Sequence, residues 1–261
     1  MNWFLLVMGV VIVVIVDIPF YLRYKRRKMS ATGLRNTTTK LYKLTDERGK
    51  TRNNTQWGKN VTHEAPGKDA VLCTDTVIHA YEHPLLAVFF NEIHVSFAHP
   101  RLWEASGDVV IRDGQVKCGC KRMTTIREIQ VPDITPEQKV EIAVRLAKQV
   151  VTNKEWNDWA DEWLSGRERT GCSVYSVHKD VEEISILGNV HSELNIQMIV
   201  SLAAAIVMIP SEIAVISSFT KSDVKWMAPR SVASVHYFME RRGRKLGILA
   251  VLKQVTGWKG D

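Results

Sequence analysis

The stretch Asp108–Cys118, DVVIRDGQVKC, predicts a β hairpin and decides the fold class of the central part of the chain. Asp113 and Gly114 separate two short runs rich in β-forming residues, and an Asp-Gly pair in that position is typical of a tight hairpin turn. Further along, residues 125–131 (TIREIQV) alternate between apolar and polar side chains, as a half-buried strand does. We therefore expect antiparallel strands on both sides of Gly114.

Residues on the N-terminal side of this hairpin continue the same pattern. Short apolar runs alternate with turn signals and are interpreted as further strands: Lys40–Leu44 (KLYKL), Ala70–Cys73 (AVLC) and Leu85–Phe90 (LLAVFF). Residues 41–132 are therefore predicted to form a mostly antiparallel β-rich domain.

Residues 133–166 are predicted to form a pair of helices packed on this domain. Thr135 is placed to cap the first helix, with Pro136 at its first position and Gln138 closing a capping box. In the second helix, Trp156, Trp159 and Trp163 fall on one face, and Gly166 marks its end. The tryptophan face is interpreted as buried core, with ligand stacking as the alternative.

Residues 167–261 are predicted to be a helical C-terminal section with a basic tail. Leu194–Ile209 is apolar but short for a membrane span, so we expect a buried helix there and leave a second span as the alternative. The tail beyond residue 220 holds nine lysines or arginines against three acidic residues. It suits either a helix on a membrane surface or a packed terminal helix.

The N-terminal stretch Trp3–Leu22 has one charge in twenty residues, and at ~1.5 Å of rise per residue it would cover about 30 Å as a helix. Basic residues follow directly: Arg23, Lys25, Arg26, Arg27 and Lys28. Residues 1–28 are therefore predicted to be a single-pass anchor with its basic flank, joined by a linker over residues 29–40. A cleaved signal peptide and a translation start at Met29 remain alternatives.

The positive-inside rule then places the N-terminus outside and the body in the cytoplasm, at the inner membrane. The predicted fold class is α+β, with an N-terminal transmembrane helix, a mostly antiparallel β domain and a helical C-terminal section. The net charge of +7 indicates an anionic partner, and the membrane leaflet is favoured over nucleic acid because much of the excess lies beside the anchor and in the tail.

One polar-aromatic segment holds the candidate catalytic residues. They are His79, His83, His94, Arg101 and Glu104. Histidine near a carboxylate can act as acid or base near neutral pH, and arginine can hold a phosphate. The alternative is that these histidines are hydrogen-bonded structural residues.

The cysteines are interpreted as free thiols, since a cytoplasmic protein seldom carries structural disulfides. Cys73, Cys118 and Cys120 are weak metal-ligand candidates, because the single residue between the last two is tighter than zinc-site spacing. We expect no metal and no cofactor. The chain contains none of the common nucleotide-binding or hydrolase motifs, which disfavours those enzyme classes.

The central block resembles a family of uncharacterised phage and prophage proteins over roughly residues 41–166. The resemblance is carried by these motifs: Leu41-Tyr-Lys-Leu-Thr-Asp, Gln56-Trp-Gly, Val61-Thr-His, His79-Ala-Tyr, Pro84-Leu-Leu-Ala-Val, Asn91-Glu-Ile-His, Pro100-Arg-Leu-Trp-Glu, Thr124-Thr-Ile-Arg-Glu-Ile and Trp156-Asn-Asp-Trp. It implies a bacterial or phage setting and carries over no catalytic residue. Residues 1–28 depart from the family pattern.

The sequence therefore leaves two functions open. The first is a membrane-anchored accessory protein whose cytoplasmic domain binds a host or phage component, most simply a protein. The alternative is an enzyme that acts on a phosphate-bearing or nucleotide substrate through the segment from His79 to Glu104.

Overall fold

A computed structural model of the chain describes residues 38–149, 154–167 and 245–260, together with residues 228, 229, 232, 233, 236, 239 and 240. Its centre is an antiparallel sheet of five strands: β1 (Thr38–Thr45), β2 (Val61–Glu64), β3 (Ile78–Ala80), β4 (Arg101–Asp113) and β5 (Lys117–Ile129). The strands follow the order β1-β4-β5-β2, and β3 pairs with the first part of β5. β1 begins before the predicted domain start at residue 41, because Thr38 pairs with Asp108 of β4.

The predicted hairpin around Gly114 is confirmed. β4 and β5 are its two strands, and Asp113 pairs with Lys117 across the turn. Gly114 has a φ of +50°, in the left-handed region that glycine adopts without steric cost. The turn therefore lies at the Asp-Gly pair, as the sequence predicts.

The sheet closes on itself at one end. Tyr81, directly after β3, exchanges two backbone hydrogen bonds of 2.8 Å and 3.0 Å with Tyr42 of β1. The strands β1, β4, β5 and β3 thus surround a small core. Its members are Leu41, Trp57, Ala80, Ala105, Val109, Cys118, Cys120 and Met123.

The strand pairing of the long hairpin is interrupted by a β-bulge near its open end. Glu104 pairs with Arg127, but the next residue of β4, Ala105, pairs with Thr125. Ile126 lies between these two partners and has no residue opposite it on β4. The alternation of buried and exposed side chains holds through Thr125 and Ile126, and it is interrupted after the bulge, where Arg127 is exposed as well.

Two of the runs predicted to be strands have other conformations. Leu85–Phe90 belongs largely to helix α1 (Pro84–Phe89), because Pro84 suits the first helical turn and the His83 side chain accepts a hydrogen bond from the Leu85 backbone. A second short helix, α2 (Asn91–His94), follows it. Ala70–Cys73 forms turns, and Cys73 has a φ of +64°, which is incompatible with a strand. A single 3-10 turn covers Arg52–Asn54.

The predicted pair of helices is present as α3 (Pro136–Lys148) and α4 (Lys154–Ser165). The capping box at the start of α3 is confirmed, since Thr135 Oγ1 accepts from the Gln138 backbone and Gln138 Oε1 accepts from the Thr135 backbone. In α4, Trp156, Trp159 and Trp163 are all buried, as the core interpretation predicted.

The C-terminal helix α5 (Ile248–Thr256) packs against α1 and α3. Ile248, Val251 and Leu252 of this helix are buried. Of the two alternatives for the tail, the packed terminal helix is therefore the one that this segment adopts. The main core lies between the outer face of the sheet and the helices and includes Tyr42, Leu44, Leu85, Phe89, Leu102, Leu146, Trp156 and Leu252.

The predicted fold class, α+β with an N-terminal transmembrane helix, is wrong for the described residues. Among the residues that the structure describes, no helix has both the length and the apolarity that a membrane crossing needs. The longest, α3, has 13 residues and carries charged side chains on its outer face. At ~1.5 Å of rise per residue it spans about 20 Å, against about 30 Å of hydrocarbon. The observed architecture is a mostly antiparallel β sheet with a few helices.

Several predictions concern residues outside those that the structure describes. These are the anchor and its basic flank at Arg23, Lys25, Arg26, Arg27 and Lys28, the linker as far as residue 37, and the apolar stretch Leu194–Ile209.

Candidate functional site

His83 has a structural partner in its own helix. Its Nδ1 accepts a hydrogen bond of 3.2 Å from the Leu85 backbone, so the side chain caps α1. Burial lowers the pKa of His83 to about 4, with a smaller contribution from the positive charge of Lys253. A neutral imidazole is required for this acceptor role, so the lowered pKa and the cap are consistent.

His94 is the last residue of α2. Its Nδ1 is 2.9 Å from the Tyr81 hydroxyl, and its ring stacks on Phe90 and Tyr81 at centroid distances of 5.6 Å and 5.8 Å. These contacts hold the end of α2 against Tyr81, the residue whose backbone closes the sheet.

Arg101 and Glu104 form ion pairs across the β4–β5 hairpin. Arg101 makes a bidentate contact with Glu128, which raises the pKa of Arg101 and lowers the pKa of Glu128 through the shared hydrogen bonds. Glu104 accepts from Arg127 at 2.8 Å and lies 3.6 Å from Lys40. The Arg101 guanidinium is therefore engaged by a carboxylate of its own sheet, in the geometry a phosphate would need.

The contacts described for the five predicted catalytic residues give each a different partner. His83 caps a helix, His94 joins Tyr81, Arg101 joins Glu128 and Glu104 joins Arg127, while His79 contacts the loop before β3. The geometry therefore assembles no shared acid–base pair from these contacts.

His79 takes part in a different cluster, which centres on Cys73. The Cys73 backbone N–H donates to His79 Nε2 at 2.8 Å, so Nε2 is the unprotonated ring nitrogen in this arrangement. This bond holds Cys73 in its left-handed conformation with φ +64°, which a non-glycine residue seldom adopts without support.

Lys117 completes this cluster from the first position of β5. Its Nζ lies 3.1 Å from Cys73 Sγ, and only 8% of the residue is exposed. A buried amine requires a polar partner, and here the partner is a sulphur atom. We refer to Cys73, Lys117 and His79 as the thiol–amine cluster.

Lys43 of β1 contacts β3 and the Trp57 ring, which belongs to the small core. Its Nζ donates to the His79 carbonyl oxygen at 2.7 Å and lies 5.4 Å from the centre of the Trp57 ring. Burial lowers the pKa of Lys43 to about 8, against an opposing contribution from Cys120 and Cys118. The hydrogen bond with Cys120, and then burial, raise the pKa of the Cys118 thiol.

The three weak metal-ligand candidates are distributed between these two environments. Cys73 contacts the Lys117 amine, whereas Cys118 and Cys120 are fully buried in the small core. Across the described residues, no group of three or more His, Cys, Asp or Glu side chains is arranged to hold a metal ion.

A second surface feature is the outer edge of β5 beyond β2. β2 begins at Val61, opposite Thr125, and β5 continues beyond this pair to Ile129. In the described part of the chain, β4 is the strand that pairs with this final segment. Ile126, the bulge residue, is 38% exposed there, and Val95 at 43% is the other large apolar residue exposed in the described part.

Sequence reasoning singled out Cys73 and His79 but missed Lys117 and Ile126. A signal for Lys117 was present, since a lysine between Val116 and Cys118 interrupts an apolar run at the start of a predicted strand. Ile126 received no role from the sequence, because residues 125–131 were interpreted only as a half-buried strand. The burial of Met123 and Thr125, which places Ile126 on the exposed face of β5, depends on tertiary packing.

The fold and these sites describe a β-sheet protein with an exposed edge and a thiol–amine cluster. No protein-family model matches the chain, and comparisons with curated proteins and with solved structures found no similar protein.

Proposed function

We propose that this chain is a non-enzymatic accessory protein that binds a host or phage protein through the outer edge of β5. The observation that carries the proposal is the exposed side chain of Ile126 directly after Thr125, where the pairing of β2 with β5 stops. An exposed apolar side chain beside an unpaired strand edge can fill a pocket of a partner that adds a strand to the sheet.

The surroundings of Ile126 support strand addition as the mode of binding. The backbone of β5 beyond Thr125 can pair with an extended segment of the partner, which would continue the line of β2. Arg127 and Glu128 flank the anchor and are engaged by Glu104 and Arg101, so they form a polar rim without an unpaired charge.

A protein partner is favoured over nucleic acid by the pairing of the arginines. Nucleic-acid surfaces need guanidinium groups that are available to phosphates. In the described part, these arginines each have a carboxylate partner: Arg101, Arg112, Arg122, Arg127, Arg145 and Arg167. The resemblance to phage and prophage proteins supports a host or phage protein as the partner.

The experiment places a photo-crosslinking amino acid at position 126 in the full chain, expressed in the bacterial host. The same residue at position 95 is the matched control, because Val95 is the other exposed large apolar residue of the described part. We expect one adduct that forms at position 126 and is absent at position 95. The partner is then identified by mass spectrometry and purified.

Binding of the purified partner to Ile126→Thr and Val95→Thr variants gives the quantitative test. Loss of an interface anchor costs about 1.4 kcal/mol or more, so Ile126→Thr should weaken binding roughly tenfold or more. Val95→Thr should leave the affinity unchanged. Equal binding by the wild type and Ile126→Thr would rule out this edge as the binding site, and so would the absence of any adduct at position 126.

A further inference from the structure

The thiol–amine cluster brings a nucleophilic sulphur and an amine together from distant parts of the chain. Cys73 lies in the loop before β3, and Lys117 begins β5, 44 residues later. Their Sγ and Nζ atoms are 3.1 Å apart, which is a distance at which two bound groups can react with each other. No feature of the proposed protein-binding edge uses either residue.

The loop that carries Cys73 is held rigidly against β5. Thr74 and Thr76 join their hydroxyl groups at 2.7 Å and bond the Val71 backbone, which closes the turn around Cys73. Lys121 of β5 donates to the Thr76 carbonyl oxygen at 2.7 Å. Together with the bond from the Cys73 backbone to His79, these contacts keep Sγ directed at Lys117.

Among the cysteines that the structure describes, Cys73 is the one that solutes can reach. It is partly exposed, whereas Cys118 and Cys120 are fully buried in the small core. Because the thiolate is the form that reacts with oxidants, the raised pKa of Cys118 protects it further. An oxidant in solution therefore acts first on Cys73.

We propose that hydrogen peroxide drives formation of a reversible covalent S–N bond between Cys73 and Lys117. In the first step, the Cys73 thiol and hydrogen peroxide give a sulfenic acid and water, so sulphur loses two electrons and peroxide gains them. In the second step, the lone pair of the Lys117 amine attacks this sulphur. The S–O bond breaks, the hydroxyl group takes a proton from nitrogen, and a second water molecule leaves.

The product is a sulfenamide that ties the loop before β3 to the start of β5. Two equivalents of a thiol reverse it, because they return two electrons to sulphur, regenerate the thiol and the amine, and leave as a disulfide. The structural effect is a cross-link across the loop between residues 73 and 117, which restricts the unfolded chain as a disulfide does. Oxidation should therefore raise the Tm of the full chain.

The test uses the full chain with Cys172→Ala, because Cys172 lies outside the described residues and is a competing partner for Cys73. The protein is treated with hydrogen peroxide, digested and examined by mass spectrometry. We expect a linked pair of peptides that contains Cys73 and Lys117 and lacks two hydrogens relative to their sum. Treatment with dithiothreitol should separate them.

Lys117→Arg in the same background is the matched control. Arginine keeps the positive charge beside Cys73 but is a poor nucleophile, so the sulfenic acid should persist. Trapping with dimedone should then label Cys73 roughly threefold or more above the Lys117-containing protein. Circular dichroism of both proteins checks that the comparison is made between folded chains.

Any of the following results would overturn the proposal. The first is a Cys73 that stays reduced at peroxide concentrations that oxidise the denatured chain. The second is conversion of Cys73 to sulfinic acid without a link to Lys117, or equal dimedone labelling with lysine and arginine at position 117. The third is a linked pair that retains an oxygen atom, which would show an N–O–S bond in place of the S–N bond.

Discussion

At the scale of single residues, the histidines of the segment from His79 to His94 act on their own backbone and on neighbouring rings. His79 accepts from the Cys73 backbone, His83 caps α1, and His94 stacks between Tyr81 and Phe90. The structure thus favours the interpretation of these histidines as structural residues, which the sequence left open beside the catalytic one.

The cap at His83 predicts a specific pH dependence of stability. The pKa of His83 is about 4 in the folded state against 6.5 as its ordinary value, so between these pH values the unfolded chain binds a proton that the folded chain does not. The free energy of unfolding therefore falls as the pH decreases through this window. The loss is about 1 kcal/mol, after allowance for solvent screening of a half-buried group.

The matched variant for this prediction is His83→Asn, because asparagine keeps a capping acceptor and does not titrate. Urea denaturation of both proteins from about pH 7 to about pH 4 gives the comparison, and this part of the loss should be absent in the variant. Parallel curves for the two proteins would show that His83 does not contribute the proton linkage.

Residue types alone could not show which of the candidate residues meet. Arg101 and Glu104 were predicted to face a substrate, but both are paired across the hairpin with Glu128 and Arg127. Cys73 and Lys117 are 44 residues apart, and only the pairing of β3 with β5 brings them together. A contact of this kind depends on strand register, which a single sequence does not specify at that distance.

At the scale of secondary structure elements, the best predictions rest on local signals. The α3 capping box and the Gly114 turn each lie within a few residues of sequence, so their hydrogen bonds follow directly from the residues present. Leu85–Phe90 was predicted to be a strand because its apolar run has no periodicity that separates a buried strand from a buried helix. The signal that decides it is the His83-Pro84 pair in front of the run.

The capping box of α3 provides the prediction at this scale. Thr135→Ala removes the acceptor for the Gln138 backbone N–H and should lower the free energy of unfolding by about 1 kcal/mol. Thr135→Ser keeps the hydroxyl group and should stay close to the wild type. Chemical denaturation measures both variants, and an equal loss for alanine and serine would assign the effect to the threonine methyl group instead.

At the scale of the whole molecule, the hairpin turn also contacts the C-terminal part of the chain. A side chain at Gly114 would overlap the Glu240 carboxylate and the His236 ring. His236 is 4% exposed, and the neighbouring residues Val232 and Met239 belong to the main core. The absence of a side chain at Gly114 therefore permits this segment to pack against the hairpin.

Gly114→Ala should detach this segment from the hairpin. The control is Gly67→Ala, because Gly67 also has a positive φ, of +72°, but no atom lies within 4 Å of its added methyl group. Both substitutions cost about 1–2 kcal/mol of backbone strain. Hydrogen exchange should increase at residues 232, 236, 239 and 240 in Gly114→Ala alone, and the same increase in Gly67→Ala would attribute the effect to general destabilisation.

The global arrangement was the least predictable from the sequence. The closure of the sheet depends on two backbone hydrogen bonds between Tyr42 and Tyr81, and backbone groups carry no sequence signature. The division into a small core and a main core likewise depends on which face of β1 meets the helices. Leu41 contributes to the first and Tyr42 to the second, although they are adjacent in sequence.

The packing of α5 against α1 and α3 has a consequence for synthesis of the protein. α5 covers Ile248–Thr256, whereas its partners are complete by Lys148, about 100 residues earlier in the chain. A ribosome adds about 5–20 residues per second, so about 5–20 seconds separate the emergence of α3 from that of α5. A nascent chain that stops before Ile248 therefore leaves the ribosome without this helix, and the apolar surface it should cover marks the fragment for chaperones and proteases.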